Sequence, residues 1–321
     1  MKKISVVVPC YNEKENVSLM GEALLNLMDE ELSSYDSEII FIDNASNDGT
    51  QEEIRTLCGK DSRVKAIFNV RNFGAFSSPV YGMLQATGDC AIMIACDFQE
   101  PIECIVEFVK KWEEGADVVA GVQSGSTENK IKYGFRSLFY KLMGWGSQLD
   151  YIEHFTGFGL YDRSFLEILK EVDDPQPFIR GMVVEFGGNI EKVYYEQPKR
   201  KHGKTHHSFF DLYDGAMLSF TSYTSTGLRL ITILGFIIAA VSFVIGVIYL
   251  IQKLVRWYTF DAGIAPVMIG MFFLGAVILI TLGVIGEYVI SINRRVMNRP
   301  LVVEKERIGF SDISDKEKPN A

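Results

Sequence analysis

Five cysteines, Cys10, Cys58, Cys90, Cys96 and Cys104, are spread over 321 residues with no C-x-x-C pair and no zinc-ligand spacing. That excludes a disulfide framework and a structural zinc site, and the thiols are expected to be reduced, cytosolic and mostly buried. Positive charge is not in excess either. The 32 Lys and Arg face 41 Asp and Glu, a net charge of −9, and a general nucleic-acid surface needs a basic patch to release counterions from phosphates. No G-x-G-x-x-G follows the first apolar run, which sets aside a dinucleotide-binding oxidoreductase. That run, residues 4–8, gives way to Asn12, Glu13 and Lys14 too early for a secretory signal, and it reads as a strand.

Apolar residues make up 48% of the chain, but unevenly. Up to Gly227, short apolar runs alternate with charged segments. Strands are expected at residues 4–8, 38–42, 64–68 and 90–95. Helices are expected at 15–32, 50–57, 75–86 and 102–112, the last opened by Pro101. Strands alternating with helices at this spacing imply an α/β fold with a mainly parallel sheet covered on both faces. Ligands of such sheets bind outside the carboxyl ends of the strands. The segments there are 9–13, 43–48, 69–74 and 97–101, all rich in polar and turn-forming residues.

Beyond Gly227 the pattern changes. Residues 235–251 and 264–285 carry no charge, and with their flanks each run reaches the ~20 residues needed to cross a bilayer. Lys199, Arg200, Lys201, Lys204 and Arg229 precede the first run and Arg294, Arg295 and Arg299 follow the second. Only Lys253 and Arg256 lie in the connection. This bias predicts an integral membrane protein with two spans, its α/β domain and both termini cytoplasmic. The expected domains are 1–207, a cytosolic α/β domain; 208–227, an aromatic-rich interfacial helix; 228–293, a transmembrane hairpin; and 294–321, a cytosolic tail. The polar stretch beyond Glu304 is expected to be disordered.

Among the loop residues, Asp97 follows a buried strand, where a hard carboxylate oxygen suits Mg2+ or Mn2+. Asp43 ends the second strand, positioned to accept hydrogen bonds from a base or ribose, and Glu13 stands just past the first. Asp48 reads as a turn former before Thr50, and Asp162 as the cap of a helix beginning near Ser164.

Four segments occur in order: Val6-Val7-Val8-Pro9-Cys10-Tyr11-Asn12-Glu13, Ile42-Asp43-Asn44-Ala45-Ser46-Asn47-Asp48-Gly49-Thr50, Arg71-Asn72-Phe73-Gly74 and Asp97-Phe98-Gln99-Glu100-Pro101. Together with the two apolar runs they resemble the family two glycosyltransferases, in particular the branch that loads polyprenyl phosphates. The resemblance implies a GT-A type nucleotide-sugar-binding domain followed by two transmembrane helices. It also implies inverting, metal-dependent transfer of a sugar from a nucleotide sugar donor to a polyprenyl phosphate acceptor for cell-envelope glycans. By the same likeness Pro9, Tyr11, Glu13, Asp43, Asn72, Gly74 and Arg180 bind the nucleotide sugar. Asp97 and Gln99 hold Mg2+ or Mn2+, Asp97 and Arg200 act in catalysis, and Arg200 and Lys204 bind the lipid phosphate beside the membrane lipid.

Two departures from the family pattern stand out. The usual D-x-D reads Ala95-Cys96-Asp97, so one carboxylate is missing. In His154-Phe155-Thr156-Gly157-Phe158-Gly159, Gly157 occupies the position where relatives often carry an Asp, a candidate base. A phosphate monoester with a second pKa near ~6 is mostly a dianion at neutral pH and needs no strong base. Two other readings remain compatible with the residues: a transferase acting on a glycan acceptor, and a scaffold with a degenerate transferase domain. A homo-oligomer is compatible too, and no nucleic-acid partner is expected.

Overall fold

The computed structural model describes residues 1–124, 152–198, 217, 226–255 and 264–310. By contacts the chain divides into two units. The first takes in the described residues up to 198 together with 298–310, and the second takes in 217, 226–255 and 264–297.

The first unit opens with the expected alternation: β1 (Lys3–Cys10), α1 (Lys14–Glu30), β2 (Asp36–Asp43), α2 (Thr50–Lys60), β3 (Val64–Asn69), α3 (Gly74–Leu84), β4 (Cys90–Met93) and α4 (Cys104–Glu113). It continues with β5 (Val118–Gln123), β6 (Phe155–Asp162), α5 (Arg163–Val172), α6 (Ile179–Phe186) and β7 (Ile190–Tyr195), and returns as β8 (Glu304–Ile308). The eight strands form one sheet in the order β7-β5-β6-β4-β1-β2-β3-β8. Its central block β3-β2-β1-β4 is parallel throughout, as is the β5–β7 pair, whereas β6 runs antiparallel to both β4 and β5.

Both faces of the central strands are apolar because both are covered. Ile4, Val6, Val8, Ile39 and Phe41 pack in one cluster with Val17, Met20 and Leu24 of α1 and Ile54 and Leu57 of α2. Val7, Ile40 and Ile42 are equally buried on the other face. There α3 lies so close that a Cβ at Gly82 would stand 2.8 Å from the Val7 side chain and 3.2 Å from that of Ile42. Only a glycine permits that approach.

At the amino ends of the strands, away from the ligand-binding loops, Glu38 is buried in a polar staple. Its carboxylate accepts Ser5 Oγ at 2.6 Å, the Thr87 backbone N–H at 2.7 Å, Lys65 Nζ at 2.6 Å and Lys3 Nζ at 3.1 Å. Burial alone would raise its pKa. The bonds from Lys65, Ser5, Thr87 and Lys3 outweigh it and hold the group at about 2.

The expectation of disorder beyond Glu304 fails for β8, which pairs antiparallel with β3. Arg55 grips the Glu306 carboxylate with both nitrogens, Tyr81 Oη donates to Glu304 at 2.9 Å, and Val302 just ahead of the strand is buried. A polar segment thus gains order from partners more than two hundred residues away. All five cysteines are free thiols; Cys10, Cys90 and Cys96 are buried and the other two half-buried.

The second unit contains two long apolar helices, α7 (Thr226–Val255) and α8 (Ile264–Val296). Their stretches Ile231–Val255 and Val267–Val296, of 25 and 30 residues, are roughly 37 and 45 Å long at ~1.5 Å per residue, enough to span a hydrocarbon core of ~30 Å. Large side chains such as Phe236 and Phe243 are 73% and 74% exposed, which suits a lipid-facing helix and not the core of a soluble protein. The two are candidate membrane spans. The proposed interfacial helix at 208–227 falls on 208–216 and 218–225, outside the described residues, while Thr226 and Gly227 belong to α7.

Candidate active site

Four loops meet at the carboxyl edge of the parallel block, following β1, β2, β3 and β4. Because β6 runs antiparallel to β4, its first residues reach the same edge. Four of the six non-glycine residues with positive φ among the described residues stand in these segments: Asn12 (56°), Ala45 (61°), Phe98 (56°) and His154 (60°). Each costs about 1 kcal/mol or more. Such strain persists only where surrounding bonds impose it.

Those bonds join the loops to one another. The Asn12 backbone N–H donates to Ser46 Oγ at 2.8 Å, and Asn12 Oδ1 accepts the Asn47 N–H at 3.0 Å. The Glu13 N–H donates to Thr50 Oγ1 at 2.9 Å, and its carboxylate accepts Asn16 Nδ2 at 2.6 Å. Asp48 accepts the N–H groups of Thr50 and Lys14, so it shapes the turn as expected. Asn44 bridges onward: its Nδ2 donates to Asn72 Oδ1 at 2.8 Å and to the Gly74 carbonyl at 3.1 Å, while its Oδ1 accepts the Phe73 N–H at 2.8 Å. Glu13, Asn72 and Gly74 therefore share one network with the loop that begins at Asp43.

Asp43 is fully buried. Its Oδ2 accepts the Ser46 N–H at 3.1 Å and Gln51 Nε2 at 2.6 Å, whereas its Oδ1 has no hydrogen-bond partner. Burial pushes its pKa up, and the bonds from Ser46 and Gln51 pull against that. Asn16 Oδ1 and Asn69 Oδ1 are the other buried side-chain acceptors left without partners among the described residues, and both stand near these loops. A buried acceptor without a donor costs about 1–3 kcal/mol. All three stand beside these loops, and there is none elsewhere among the described residues.

Asp97 is 7% exposed, and its Oδ1 accepts the Gln99 N–H at 3.1 Å in a tight turn. It does not cap α4, which starts only at Cys104 behind Glu103. Glu100 closes the same turn: its Oε2 accepts the Ala95 N–H at 2.7 Å and its Oε1 accepts Thr156 Oγ1 at 3.0 Å. Burial, with a smaller push from the Asp97 charge, raises its pKa to about 7. Among the described residues no three His, Cys, Asp or Glu side chains gather around a point. A cation here would take one carboxylate and the Gln99 amide from the protein, leaving its remaining sites to diphosphate and water, a hard-oxygen set that suits Mg2+ or Mn2+.

Gly157 has φ 108°, and a Cβ there would lie 2.6 Å from Met93 Cε and 3.2 Å from Ile179 Cγ2. Ile179 begins α6, and the preceding Phe178 packs edge-on against Phe76 of α3 at 5.8 Å. Arg180 stacks its guanidinium over Phe178, 5.1 Å from the ring centre, so its segment joins the same edge. Pro9 and Tyr11 flank the end of β1, both half-buried. Arg200 and Lys204 lie outside the described residues. Asp162 caps α5 as expected, accepting the Ser164 N–H at 2.8 Å. Asn44, Asn69 and Thr156 gain their places through partners 25 or more residues away, and Gln51 through Asp43 eight residues before it; no local pattern marks them.

Known proteins similar to this chain point to one family. The sequence pattern of Glycosyl transferase family 2 matches residues 5–172. The prophage bactoprenol glucosyl transferase homolog of Escherichia coli (strain K12) is 33% identical over 288 residues, 89% of this chain and 93% of that protein. The SfII prophage-derived bactoprenol glucosyl transferase of Shigella flexneri is 33% identical over 305 residues, 95% and 98% of the two chains. Among solved structures, glucosyl-3-phosphoglycerate synthase from Mycobacterium tuberculosis, in complex with Mn2+, UDP and glucosyl-3-phosphoglycerate, covers 68% of this chain and 78% of its own at 17% identity, with a TM-score of 0.45. With its family pattern across more than half of the residues and relatives of matching length, this chain belongs to glycosyl transferase family 2, whose members are glycosyltransferases.

Proposed function

We propose that this chain transfers a sugar from a uridine diphosphate sugar to a polyprenyl phosphate, with inversion at the anomeric carbon. The acceptor class is supported by the bactoprenol glucosyl transferases, which align over nearly their whole length, and by the two candidate spans. Both termini and the catalytic unit lie in the cytoplasm in this reading, following the charge bias around the spans.

The observation that supports the donor reading is the buried Oδ1 of Asp43, which has no hydrogen-bond partner among the described residues. Its other oxygen is already taken by Ser46 and Gln51, so the carboxylate offers a single acceptor to a base. Uracil presents one N–H between two carbonyls and fits a single acceptor. Guanine presents two adjacent donors and calls for both oxygens of a carboxylate. Arg180 meets the diphosphate, and Asn72 and Gly74 shape the wall beside it.

Asp97 and Gln99 hold a divalent cation in this proposal. When bound, the cation neutralises charge on the departing diphosphate. The acceptor phosphate, already a dianion near neutral pH, attacks in line: an oxygen–C1 bond forms, the C1–oxygen bond to UDP breaks, and the electron pair leaves with UDP. No proton need be removed, which suits a site with Gly157 in place of a carboxylate. What the protein contributes is orientation and charge placement, with Arg200 and Lys204 assigned to the lipid phosphate.

Two measurements on detergent-solubilised full-length protein test the proposal. Calorimetric titration is expected to show UDP binding at least tenfold tighter than GDP, with Asp43→Ala removing the preference. Radiolabelled UDP-sugars are expected to yield product that extracts with lipid. Equal affinity for GDP would overturn the donor reading, and label found only in glycan would overturn the acceptor reading.

A further inference from the structure

The Asp97 turn does not stand alone. We propose that Glu100 is a positioning residue that ties this turn to the first residues of β6, and that it acts through the reach of its side chain and not through its charge. The inference rests on the reading that Asp97 and Gln99 hold the cation.

Both carboxylate oxygens are engaged by donors on opposite sides. The Ala95 N–H, at the entry to the turn, donates to Oε2 at 2.7 Å, so Glu100 closes residues 95–100 into a ring. Thr156 Oγ1 donates to Oε1 at 3.0 Å from the start of β6. Inside the ring the backbone passes through Phe98 at φ 56°, a conformation that an L-residue holds only under constraint.

The far end of the strut is fixed. β6 is hydrogen-bonded on both sides, with Gly159 opposite Met93 of β4 and Ala120 of β5. Tyr161 Oη also donates to the Gly157 carbonyl at 2.5 Å. Thr156, three residues ahead of Gly159, is the point from which Glu100 sets the position of the turn bearing Asp97 and Gln99.

Charge is not what these partners demand. A threonine hydroxyl donates or accepts, so a glutamine would accept from Ala95 and donate to Thr156, keeping both bonds. An aspartate keeps the charge, but it is one methylene shorter and cannot span the two donors. Displaced supports of metal ligands weaken metal affinity about 10–100-fold.

The test uses the full-length protein with UDP, reading bound Mn2+ by electron paramagnetic resonance of the free ion, alongside thermal unfolding and the Mn2+ concentration for half-maximal transfer. Glu100→Gln is expected to bind Mn2+ within threefold of the parent protein. Glu100→Asp is expected to bind it at least tenfold more weakly, with UDP affinity in the absence of metal unchanged. Thr156→Val, which removes the outer bond together with the one that Thr156 Oγ1 accepts from the Phe158 N–H, is expected to weaken Mn2+ binding at least threefold, and it serves as the second arm if Glu100→Asp does not fold. A Glu100→Gln protein as impaired as Glu100→Asp would show that charge matters and overturn the proposal, as would wild-type Mn2+ binding in Glu100→Asp or Thr156→Val. Asp97→Ala, run in parallel, separates the underlying reading: if it binds Mn2+ normally, the metal site itself is misplaced and the strut has nothing to position.

Discussion

Installing the carboxylate that relatives often carry at position 157 is expected to damage this protein. Gly157→Asp places a side chain on a backbone with φ 108°, where a Cβ meets Met93 Cε at 2.6 Å and Ile179 Cγ2 at 3.2 Å. That φ lies beyond the small left-handed well open to L-residues, a strain of about 1–3 kcal/mol. Methionine is flexible and can give way, but crowding of this kind costs about 1–3 kcal/mol more. The combined loss, roughly 2–6 kcal/mol, is a large part of the ~5–15 kcal/mol that holds a typical domain together. At about 2–4 °C per kcal/mol for a domain of this size, the unfolding midpoint should fall by roughly 10 °C. Tryptophan fluorescence on heating reads the midpoint, and lipid-extractable label reads turnover. Gly157→Ala controls for the strain without the charge. A Gly157→Asp protein that unfolds at the parent temperature and turns over faster would refute both the steric argument and the claim that the acceptor arrives already ionised.

The remaining expectations concern stability. Glu38 is held at about 2 in the fold, against about 4.5 when unfolded. Its contribution is therefore complete above pH 4.5 and lost as pH falls from about 4.5 to 2, amounting to at most about 3 kcal/mol. The unfolding midpoint of Glu38→Gln should lie well below that of the parent at pH 7 and converge with it towards pH 2.5; a constant gap would contradict the assignment. Val302 is buried at 5% exposure ahead of β8, so Val302→Asp should cost about 3 kcal/mol or more and speed proteolysis after the second apolar helix. Unchanged protease resistance and midpoint would mean that the returning segment contributes nothing to the first unit.

The parallel block was legible because its signals are local. Apolar runs such as residues 4–8 and 38–42 must be buried on both faces, helical spacing in α1 covers one of them, and Asp162 capping α5 involves a residue two positions away. β8 was not legible, because Glu304-Lys305-Glu306-Arg307-Ile308 has the composition of a solvated tail and is ordered by Arg55, Tyr81 and the free edge of β3. An edge strand rich in charge is what a sheet needs at its border to resist further pairing. The same division runs through the site. Asp43 and Asp97 stood out as carboxylates ending apolar strands, whereas Glu100 and Thr156 are 56 residues apart and meet only once β6 turns back beside β4. Asn44 stands among the turn-forming residues after β2, and its role in linking that loop to the one after β3 depends on Asn69 and Asn72.

The most direct test of the account is transfer of labelled sugar from UDP-sugar to extractable prenyl phosphate, titrated with Mn2+ after chelation, for the parent protein and Asp97→Asn. Activity of the parent is expected to vanish on chelation and return with Mn2+, while Asp97→Asn stays at least a hundredfold below it at saturating metal. Full turnover by Asp97→Asn at saturating Mn2+ would contradict the account.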